Sequence, residues 1–555
     1  MKLPVPALGR PRETAAAGRS RTGLSLLACV AGLAVVFGVA ELRPPAQPAA
    51  APSGKPVAAQ VERTALICPQ PMQGVIGSTT LTALTPGTGG SGSGGSATVG
   101  DVVPPPGAAG PSGAPSGSPS GSPAGSSSGA PAGSSSGAPA SPAPAGPASG
   151  QPGNASVVLA KPGVPVVGQA DPGDQTVGST AVATGAFAPG FTVTQTTTVT
   201  DPHGQGLSGV DCEPAGTHFW FAGASTAGNR KDYVSLTNAE PTAAVVDLRL
   251  YGDKGPIESD AGTGLTVPPG GSLAVLLSSV ITDQVTDLAV EVTVRSGRVG
   301  AFLHAADGSA GADWIPASVD PAPAVVLPGM PADLSGARLI VAAPGGDDDA
   351  DLKIQLSGPN GWFTPAGFES IHVKAGMVNA VDLGGGISRQ QASALRLTPS
   401  DPSHPTPVVA TLRIDRSSNG KSDSAWLTGS APVGRRATVA DNRPGGASTL
   451  LITSTGDAAT VRVTASANTA GGTSTSKDVQ VPAGATVSMG APEPSGGNGP
   501  FGVTIETTSG GPVVAARVLA VPANNVPMFT IQDFQDDHSY VQVPQAAQDP
   551  GVLVH

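Results

Sequence analysis

The sequence predicts an all-β chain of tandem β-sandwich repeats that follows an N-terminal transmembrane helix and carries a disordered insert. Hydrophobic residues make up 39% of the chain and aromatic residues only 3%, so the cores must consist of small branched side chains, as sandwich cores often do. Gly (77 residues) and Pro (57 residues) are abundant, which is typical of turns and of low-complexity segments. The third observation behind this prediction is an internal repeat.

The repeat consists of three elements that recur in the same order. The first element is a strand, a polar turn and a second strand, and it occurs at residues 233–252, 339–358 and 450–467. The second element begins at Val267, Val373 and Val481, with spacings of 106 and 108 residues. The third is a closing strand that reads GRVGAFL, TPVVATL and GPVVAARVL. A period near 100 residues predicts Ig-like sandwiches rather than propeller blades, which are shorter.

The N-terminal 55 residues are predicted to place the chain at a membrane. Residues 1–22 form a basic cytoplasmic tail, residues 23–42 a transmembrane signal anchor around LSLLACVAGLAVVFGVA, and residues 43–55 a spacer. This apolar run is near the shortest that crosses a bilayer, and the basic flank keeps the N-terminus in the cytoplasm. The alternative is a signal peptide cleaved after Gly38-Val39-Ala40, which would give a secreted protein.

A low-complexity insert is predicted to interrupt the first of four sandwich units. Residues 87–153 are rich in Gly, Ser, Pro and Ala and contain too few bulky apolar side chains to bury a core, so they are expected to be disordered. The units are predicted at residues 56–224, which include the insert, and at residues 225–320, 333–430 and 436–535. Residues 536–555 are assigned to a C-terminal tail.

Tryptophans recur near the closing strands and are predicted to be structural core residues. Trp314 and Trp426 follow the closing strands of the second and third units, and by the same rule Trp220 completes the first. Because cores of Val and Ala leave volume that one large ring fills, each Trp is expected to fill the sandwich just completed. A carbohydrate-stacking surface made of the three rings is the alternative.

Cys68 and Cys212 are predicted to form a disulfide. They lie on the exported side in the first and last thirds of the interrupted unit, whereas Cys29 lies in the membrane segment. Exported cysteine pairs are usually oxidised. Two free thiols are the alternative, and a bond would hold the first unit together across its insert.

Charge and motif content argue against several classes of function. The net charge is −11 and no basic cluster follows residue 21, so nucleic acid is not expected as a partner. The sequence has no H-E-x-x-H, C-x-x-C or phosphate-loop motif, and its seven histidines are scattered. The alternate aspartates in GGDDDADL lack the Gly and Glu of a calcium loop and predict a solvated turn. No catalytic, cofactor-binding or metal-binding residue is assigned, and no cofactor is expected.

Several motifs resemble those of a family of uncharacterised envelope proteins of actinobacteria, known only as a domain of unknown function. The resemblance covers most of the chain and rests on the short membrane anchor, the low-complexity insert and the segments ICPQP, GLSGVDCEPAGTHFWFAG and GGPVVAARVL. It implies an extracytoplasmic location. Because similar proteins are encoded near envelope glycosyltransferases, it also implies a role in the assembly of a cell-surface polymer.

Two classes of function remain. The first is a non-catalytic extracytoplasmic envelope protein, a scaffold or binding module for a cell-surface polymer or an envelope protein. It would be a single-pass protein of the cell membrane that contacts the bilayer through its N-terminal helix and binds a glycan or a protein through loops or sheet edges. The alternative is a glycan-acting hydrolase whose site forms only in the fold, and carboxyls with raised pKa values clustered in a cavity would favour it.

Overall fold

Regular structure in the described residues is almost entirely antiparallel β-sheet, which confirms the predicted all-β class. The computed structural model describes residues 56–72, 76–87, 94–105, 155–170, 176–200, 205–308, 310–346, 348–384, 387 and 391–544. The predicted cytoplasmic tail, anchor and spacer lie outside these residues, up to residue 55. The helical segments described are one α-helical turn, Leu277–Val280, and two 3-10 turns, Gly185–Phe187 and Asp260–Gly262.

The chain divides into two compact units. Among the described residues, one contains residues 56–59 with 542–544, and the other contains those between residues 60 and 541. Strands β1 (Val57–Gln60) and β36 (Tyr540–Val543) pair with each other, so part of the predicted C-terminal tail is a strand.

The first sandwich contains a strand that lies within the predicted insert. Its strands are β2 (Arg63–Cys68), β3 (Gly77–Leu84), β4 (Ala97–Asp101), β5 (Ala155–Val158), β6 (Val166–Ala170), β7 (Ser179–Thr184), β8 (Thr192–Val199) and β9 (Gly206–Asp211). They form two sheets, in the orders β2-β7-β4-β5 and β6-β3-β8-β9. The prediction that all of residues 87–153 are disordered is wrong for β4, where Ala97 and Val99 alternate into the core. Residues 106–154 lie outside the described residues.

The second sandwich shows how side-chain alternation builds the cores. Its strands are β10 (His218–Ala224), β11 (Tyr233–Asn238), β12 (Ala244–Gly252), β13 (Gly255–Ile257), β14 (Leu265–Val267), β15 (Gly271–Leu276), β16 (Leu288–Ser296), β17 (Gly300–Asp307) and β18 (Gly311–Ile315). The sheets run β10-β16-β12-β13, with β14 also paired to β12, and β15-β11-β17-β18. Along β12, Val246, Leu248 and Leu250 are buried, whereas Asp247 and Arg249 between them face outwards.

The third and fourth sandwiches repeat this pattern. The third has β19 (Val325–Met330), β20 (Gly336–Ala342), β21 (Ala350–Gly358), β22 (Gly361–Phe363), β23 (Ser370–Val373), β24 (Val378–Asp382), β25 (Ser393–Pro399), β26 (Val409–Ser418) and β27 (Lys421–Thr428). The fourth has β28 (Arg436–Asn442), β29 (Ser448–Ser454), β30 (Ala459–Asn468), β31 (Thr475–Val481), β32 (Thr486–Gly490), β33 (Phe501–Gly510), β34 (Val513–Ala520) and β35 (Phe529–Asp533).

All four sandwiches share one topology. Each consists of two sheets, which we call the A-sheet and the B-sheet. The A-sheet has the opening strand of the sandwich at one edge, and this strand is β2, β10, β19 or β28. The B-sheet has the closing strand at one edge, and this strand is β9, β18, β27 or β35. The outer edge of each B-sheet is β6, β15, β24 or β32. Because β10 pairs with β16, Trp220 belongs to the strand that opens the second sandwich. The expectation that Trp220 completes the first sandwich is therefore wrong, since β9 fills that position.

A β-bulge interrupts the last three opening strands at corresponding residues. The register shifts at Gly223, Gly329 and Asp441, whose φ angles are 98°, 95° and 51°. Glycine adopts this left-handed region without cost, and Asp is among the few other residues that tolerate it. A Cβ atom at Gly329 would lie 2.5 Å from the Cβ of Ala516 in the fourth sandwich, so the glycine also allows the neighbouring sandwich to approach.

Within residues 60–541 the sandwiches close into a ring. Opening strands pack against the B-sheet of the next sandwich: β10 against β26, β19 against β34, and β28 against β8. The first sandwich meets the second where Ile67 of β2 packs with Phe302 of β17. The closing strands contact one another in the cycle β9, β18, β27, β35 and back to β9. We call these four closing strands the hub.

Candidate functional site

Asp313 is a carboxylate buried in the hub. It lies on β18, is 1% exposed, and accepts hydrogen bonds from the backbone N–H of Gly209 (2.8 Å) and of Trp314 (2.8 Å). Its other oxygen accepts a hydrogen bond from the Thr530 hydroxyl at 2.7 Å. Asp313 thereby links the second sandwich to the first and the fourth.

Asp423 of β27 has a corresponding role in the third sandwich. Its Oδ2 atom accepts hydrogen bonds from the backbone N–H of Leu207 (3.2 Å) in the first sandwich and of Phe529 (2.9 Å) in the fourth. Burial raises the pKa of both Asp313 and Asp423 well above the usual range, because a charged carboxylate there loses its hydration. Both residues join sandwiches, and neither lines a cavity described below.

Three further carboxyl groups gather beside the hub. Asp211 ends β9, Glu213 follows it, and Asp533 ends β35. Burial, followed by the nearby charges of Asp533 and Asp211, raises the pKa of Glu213 to about 8. Burial raises the pKa of Asp211 to about 7, although the Thr194 hydroxyl donates a hydrogen bond to it. Burial also raises the pKa of Asp533, which accepts a hydrogen bond from Ser430 at 2.8 Å.

These three carboxyls, which we call the carboxyl cluster, line a cavity of about 310 Å³. A second cavity of about 260 Å³ reaches Glu213 and Asp533 beside His218. Carboxyls that hold a proton near neutral pH in a cavity are candidates for proton transfer to a ligand. Within the described part of the chain, no group of three or more His, Cys, Asp or Glu side chains is arranged to hold a metal ion.

A polar groove of about 810 Å³ separates the second and third sandwiches. The turn between β12 and β13 contributes Asp253 and Lys254, and β24 contributes Asn379. On the far wall, Arg338 makes ion pairs with Asp287 (2.6 Å) and Asp382 (2.8 Å). We call this site the second–third groove.

A smaller groove of about 340 Å³ lies on the third sandwich, next to the fourth. Its walls include Trp362, Phe363 and Gln391. The Arg396 guanidinium lies 4.3 Å from the centroid of the Trp362 ring, and Gly484 of the fourth sandwich lies beside that ring. We call this site the third–fourth groove.

The fourth–first groove, of about 660 Å³, lies between the last sandwich and the first. Its lining includes Arg435, Arg436 and Tyr540 on one side and Lys161 on the other. Two of the three grooves thus lie at corresponding junctions, where the A-sheet of one sandwich faces the outer B-sheet strand of the next, or the turn before it. The third–fourth groove is lined by described residues of the third sandwich alone and lies beside the corresponding junction. The residues at these positions are Val378–Ala380 of β24, Gly484 before β32 and Lys161–Val164 before β6.

Comparison with known proteins identifies one family. A model described as a family of unknown function (DUF5719) matches residues 166–492, more than half of the chain. The chain belongs to this family. Its match begins at β6 in the first sandwich and extends just beyond β32 in the fourth. No curated protein and no solved structure matches the chain.

The disulfide predicted for this DUF5719 chain is confirmed. Cys68 at the end of β2 and Cys212 just after β9 are bonded, and their Cα atoms lie 4.4 Å apart. Both side chains are buried in the core of the first sandwich. The bond therefore ties the opening strand of that sandwich to the end of its closing strand.

No helix in the described residues is long and apolar enough to span a membrane.

The three predicted core tryptophans are buried, at 4% exposure or less, but each packs at a junction between sandwiches. Trp220 contacts Ile340 and Val409 of the third sandwich. Trp314 packs with Ile67 of the first sandwich, and Trp426 packs into the cluster of the second. The expectation that each ring fills the sandwich just completed is therefore wrong, because each ring packs against a neighbouring sandwich.

Sequence reasoning missed the carboxyl cluster and Trp362. Asp211 and Glu213 alternate along the chain, but Asp533 is more than 300 positions away and only the ring brings it close. Trp362 stands in a three-residue strand, β22, outside the recurrence that identified the other tryptophans. Its position in a short Gly-Trp-Phe hairpin after a Pro-Asn turn is the signal that could have marked it as partly exposed.

Proposed function

We propose that the protein is a non-catalytic, membrane-anchored extracytoplasmic scaffold of Ig-like sandwiches that binds a cell-surface polymer. The observation that carries this proposal is the recurrence of grooves around the ring: two lie at corresponding junctions between sandwiches, and one lies on the third sandwich beside such a junction. A polymer presents the same chemical group many times, so several grooves on one rigid ring bind it with a combined affinity above that of each groove.

The groove side chains suit saccharide ligands. Carboxylate and amide groups such as those of Asp253 and Asn379 hydrogen-bond hydroxyl groups, and the partly exposed Trp362 offers an apolar surface to a sugar ring. The proposal therefore assigns the binding role to the grooves and not to the three buried tryptophans.

The extracytoplasmic location is supported by the Cys68–Cys212 bond, since disulfides persist in oxidising compartments. The uncharged run at residues 24–40, with its basic N-terminal flank, supports a retained anchor. Membrane fractionation of cells that carry a C-terminally tagged chain tests this location: the full-length chain should remain in the membrane fraction after a high-salt wash. Recovery of a shortened chain in the medium would mean that residues 1–40 are cleaved.

Co-sedimentation of the full chain with isolated cell-wall polymer tests the binding role. We expect Trp362→Ala and Asn379→Ala each to weaken binding, because each removes a groove contact. Lys353→Ala is the matched control, since Lys353 is an exposed residue of β21 outside the grooves. Absence of co-sedimentation by the unchanged chain, or equal loss in all three variants, would overturn the proposal.

The second candidate is a glycan-acting hydrolase, which the carboxyl cluster favours. A carboxyl that is protonated near neutral pH, as for Glu213, has the property required of a general acid, and a second carboxyl beside it has that of a base or nucleophile. Release of reducing ends from the same polymer, abolished by Glu213→Gln, would establish this activity. Absence of release from polymer that the chain binds would exclude it for that polymer.

A further inference from the structure

We infer that the fourth–first groove binds the anionic groups of an acidic polysaccharide. This inference rests on the proposed function and specifies its ligand. The groove occupies the junction at which the ring closes, and it is the second largest of the three grooves at about 660 Å³. Its side chains differ in charge from those of the other two.

Two cations in this groove are free to bind a ligand. Lys161 and Arg435 are both exposed, and neither makes an ion pair with another described residue. Arg436 beside them is occupied: its guanidinium makes an ion pair with Asp537 (2.5 Å) and donates a hydrogen bond to Ser539 (2.6 Å). The groove therefore offers one ammonium and one guanidinium group to an incoming anion.

The groove is positively charged although the chain carries a net charge of −11. Glu506 is the one acidic side chain among the described residues that line it. Glu506 lies on β33, opposite Arg436 and Arg462, which are each paired with an aspartate. The two cations without a described ion-pair partner, Lys161 and Arg435, therefore outnumber the one carboxylate of the lining. An anion that enters the groove meets a local excess of positive charge.

An aromatic ring holds one of the two cations in place. The Arg435 guanidinium stacks 4.3 Å from the centroid of the Tyr540 ring, and Gln60 donates a hydrogen bond to the Tyr540 hydroxyl at 3.2 Å. A stacked guanidinium keeps its N–H edge available for bidentate bonds to a carboxylate or phosphate. The hydroxyl groups of Thr464, Ser474 and Thr504 line the same groove and can bind sugar hydroxyls.

The second–third groove provides a contrast. Its Arg338 is occupied by Asp287 and Asp382, and its Lys254 shares the lining with Asp253 and Asp283. Carboxylates outnumber cations there, so this groove does not take up the anionic groups and is left to the hydroxyl groups of the same polymer. Lys353, an exposed lysine of β21 outside the grooves, is the matched control for the two cations of the fourth–first groove.

Titration of the full chain with three probes tests the inference. Oligogalacturonate supplies carboxylates, poly(glycerol phosphate) supplies phosphates, and dextran is neutral. We expect at least one anionic probe to bind, with an affinity that falls as salt is raised. Lys161→Gln and Arg435→Gln should each weaken it by about tenfold, the value of one charged hydrogen bond. Arg435→Lys should recover part of the loss, and Lys353→Gln should leave the affinity unchanged.

The pattern of binding identifies the ligand and separates the two proposals. Binding of one anionic probe alone names carboxylate or phosphate as the recognised group, and binding of both shows that charge suffices. Equal affinity for dextran, or an equal loss in Lys353→Gln, would overturn the inference. If no probe binds while cell-wall polymer still co-sediments through Trp362, the inference fails and the proposed function stands. If neither the probes nor the polymer bind, both fail.

Discussion

Trp314 illustrates how a single side chain holds two sandwiches together. Its ring is 1% exposed and packs with Ile67 of the first sandwich and Phe302 of its own. We predict that Trp314→Ala costs about 3–5 kcal/mol of the free energy of unfolding, as truncation of a large buried ring does. Hydrogen exchange should increase in β2 as well as in β17, because the cavity opens at the junction. Trp362→Ala is the control, and it should lower the free energy of unfolding by less because the Trp362 ring is partly exposed. If hydrogen exchange in Trp314→Ala became faster only in the second sandwich, the prediction would be contradicted.

The carboxyl cluster gives stability a pH dependence of known sign. Glu213 and Asp211 have pKa values of about 8 and about 7 in the folded chain, whereas unfolded carboxyls titrate near pH 4. The folded state therefore retains protons that the unfolded state has lost, and the free energy of unfolding falls as pH rises through this window. We predict a melting temperature that decreases from about pH 5 to about pH 8, and a smaller decrease in Glu213→Gln. Equal slopes for the two proteins would contradict this.

His304 contributes the opposite slope on the acid side. It is buried between Tyr233 and Trp314, and its ring nitrogens have no hydrogen-bond partner among the described residues. Burial, helped by the charge of Arg230, lowers its pKa to about 3, whereas an unfolded histidine titrates near pH 6.5. The unfolded state then binds a proton that the folded state excludes, so this residue reduces stability as pH falls below about 6.5. When the melting temperature is measured below pH 6, this loss of stability should partly offset the gain in stability that the carboxyl cluster gives as pH falls.

At the scale of elements, the hub strands depend on acceptors supplied by their neighbours. Asp423 satisfies backbone N–H groups of both β9 and β35. We predict that Asp423→Ala costs about 2–4 kcal/mol in denaturant unfolding, because it leaves two buried donors without an acceptor. Asp478→Ala is the control, since Asp478 and its ion-pair partner Arg462 are both exposed, and such pairs contribute under about 1 kcal/mol. Similar losses in both variants would show that the hydrogen bonds of the hub do not contribute to the free energy of unfolding.

The insert occupies the position of a hairpin turn. In the second sandwich the corresponding strands, β12 and β13, are joined by Asp253 and Lys254 alone, whereas residues 106–154 lie between β4 and β5. Gly100 and Ala155 are register partners, so the ends of this connection are adjacent. We predict that a four-residue Gly/Ser turn in place of residues 106–154 preserves the fold and raises the free energy of unfolding by up to about 2 kcal/mol through lower closure entropy. A lower melting temperature would contradict this.

Elements were predictable where alternation and recurrence coincide. The repeat directly predicts the consecutive strands β11 and β12, β20 and β21, and β29 and β30, and each of these pairs passes from the B-sheet to the A-sheet of its sandwich. The opening strand β19 was not predicted, because its bulge at Pro328 and Gly329 has the composition of a turn. Trp220 was misassigned because Phe219 and Phe221 flank it, and alternation cannot distinguish the core face of a strand that is apolar on both sides.

At the scale of the whole molecule, the disulfide stabilises the ring at its point of closure. Cys68 and Cys212 lie on the sandwich that receives β28 and β35 from the fourth. We predict that Cys68→Ser with Cys212→Ser lowers the free energy of unfolding by about 2–5 kcal/mol. Because the sandwiches share buried junctions, calorimetry should show one transition at a lower temperature. A first transition that leaves three sandwiches folded would mean that the junctions do not couple them.

The ring itself could not be predicted from the sequence. Tandem repeats define the strands of each sandwich, but closure depends on which faces of Trp220, Trp314 and Trp426 meet a neighbour. The carboxyl cluster and the fourth–first groove combine residues from the first and last sandwiches, so both exist only after closure.

The ring closes after four similar head-to-tail contacts between sandwiches. This is the arrangement of a cyclic homotetramer, but here a single polypeptide forms it. A free sandwich with these two faces would pair A-sheet to B-sheet with its own copies until the fourth met the first. Such an ancestor would have carried four identical junctions. Covalent fusion removes that identity, and each junction is then free to diverge, so that one assembly can present an acidic groove, an aromatic groove and a basic groove around the same axis.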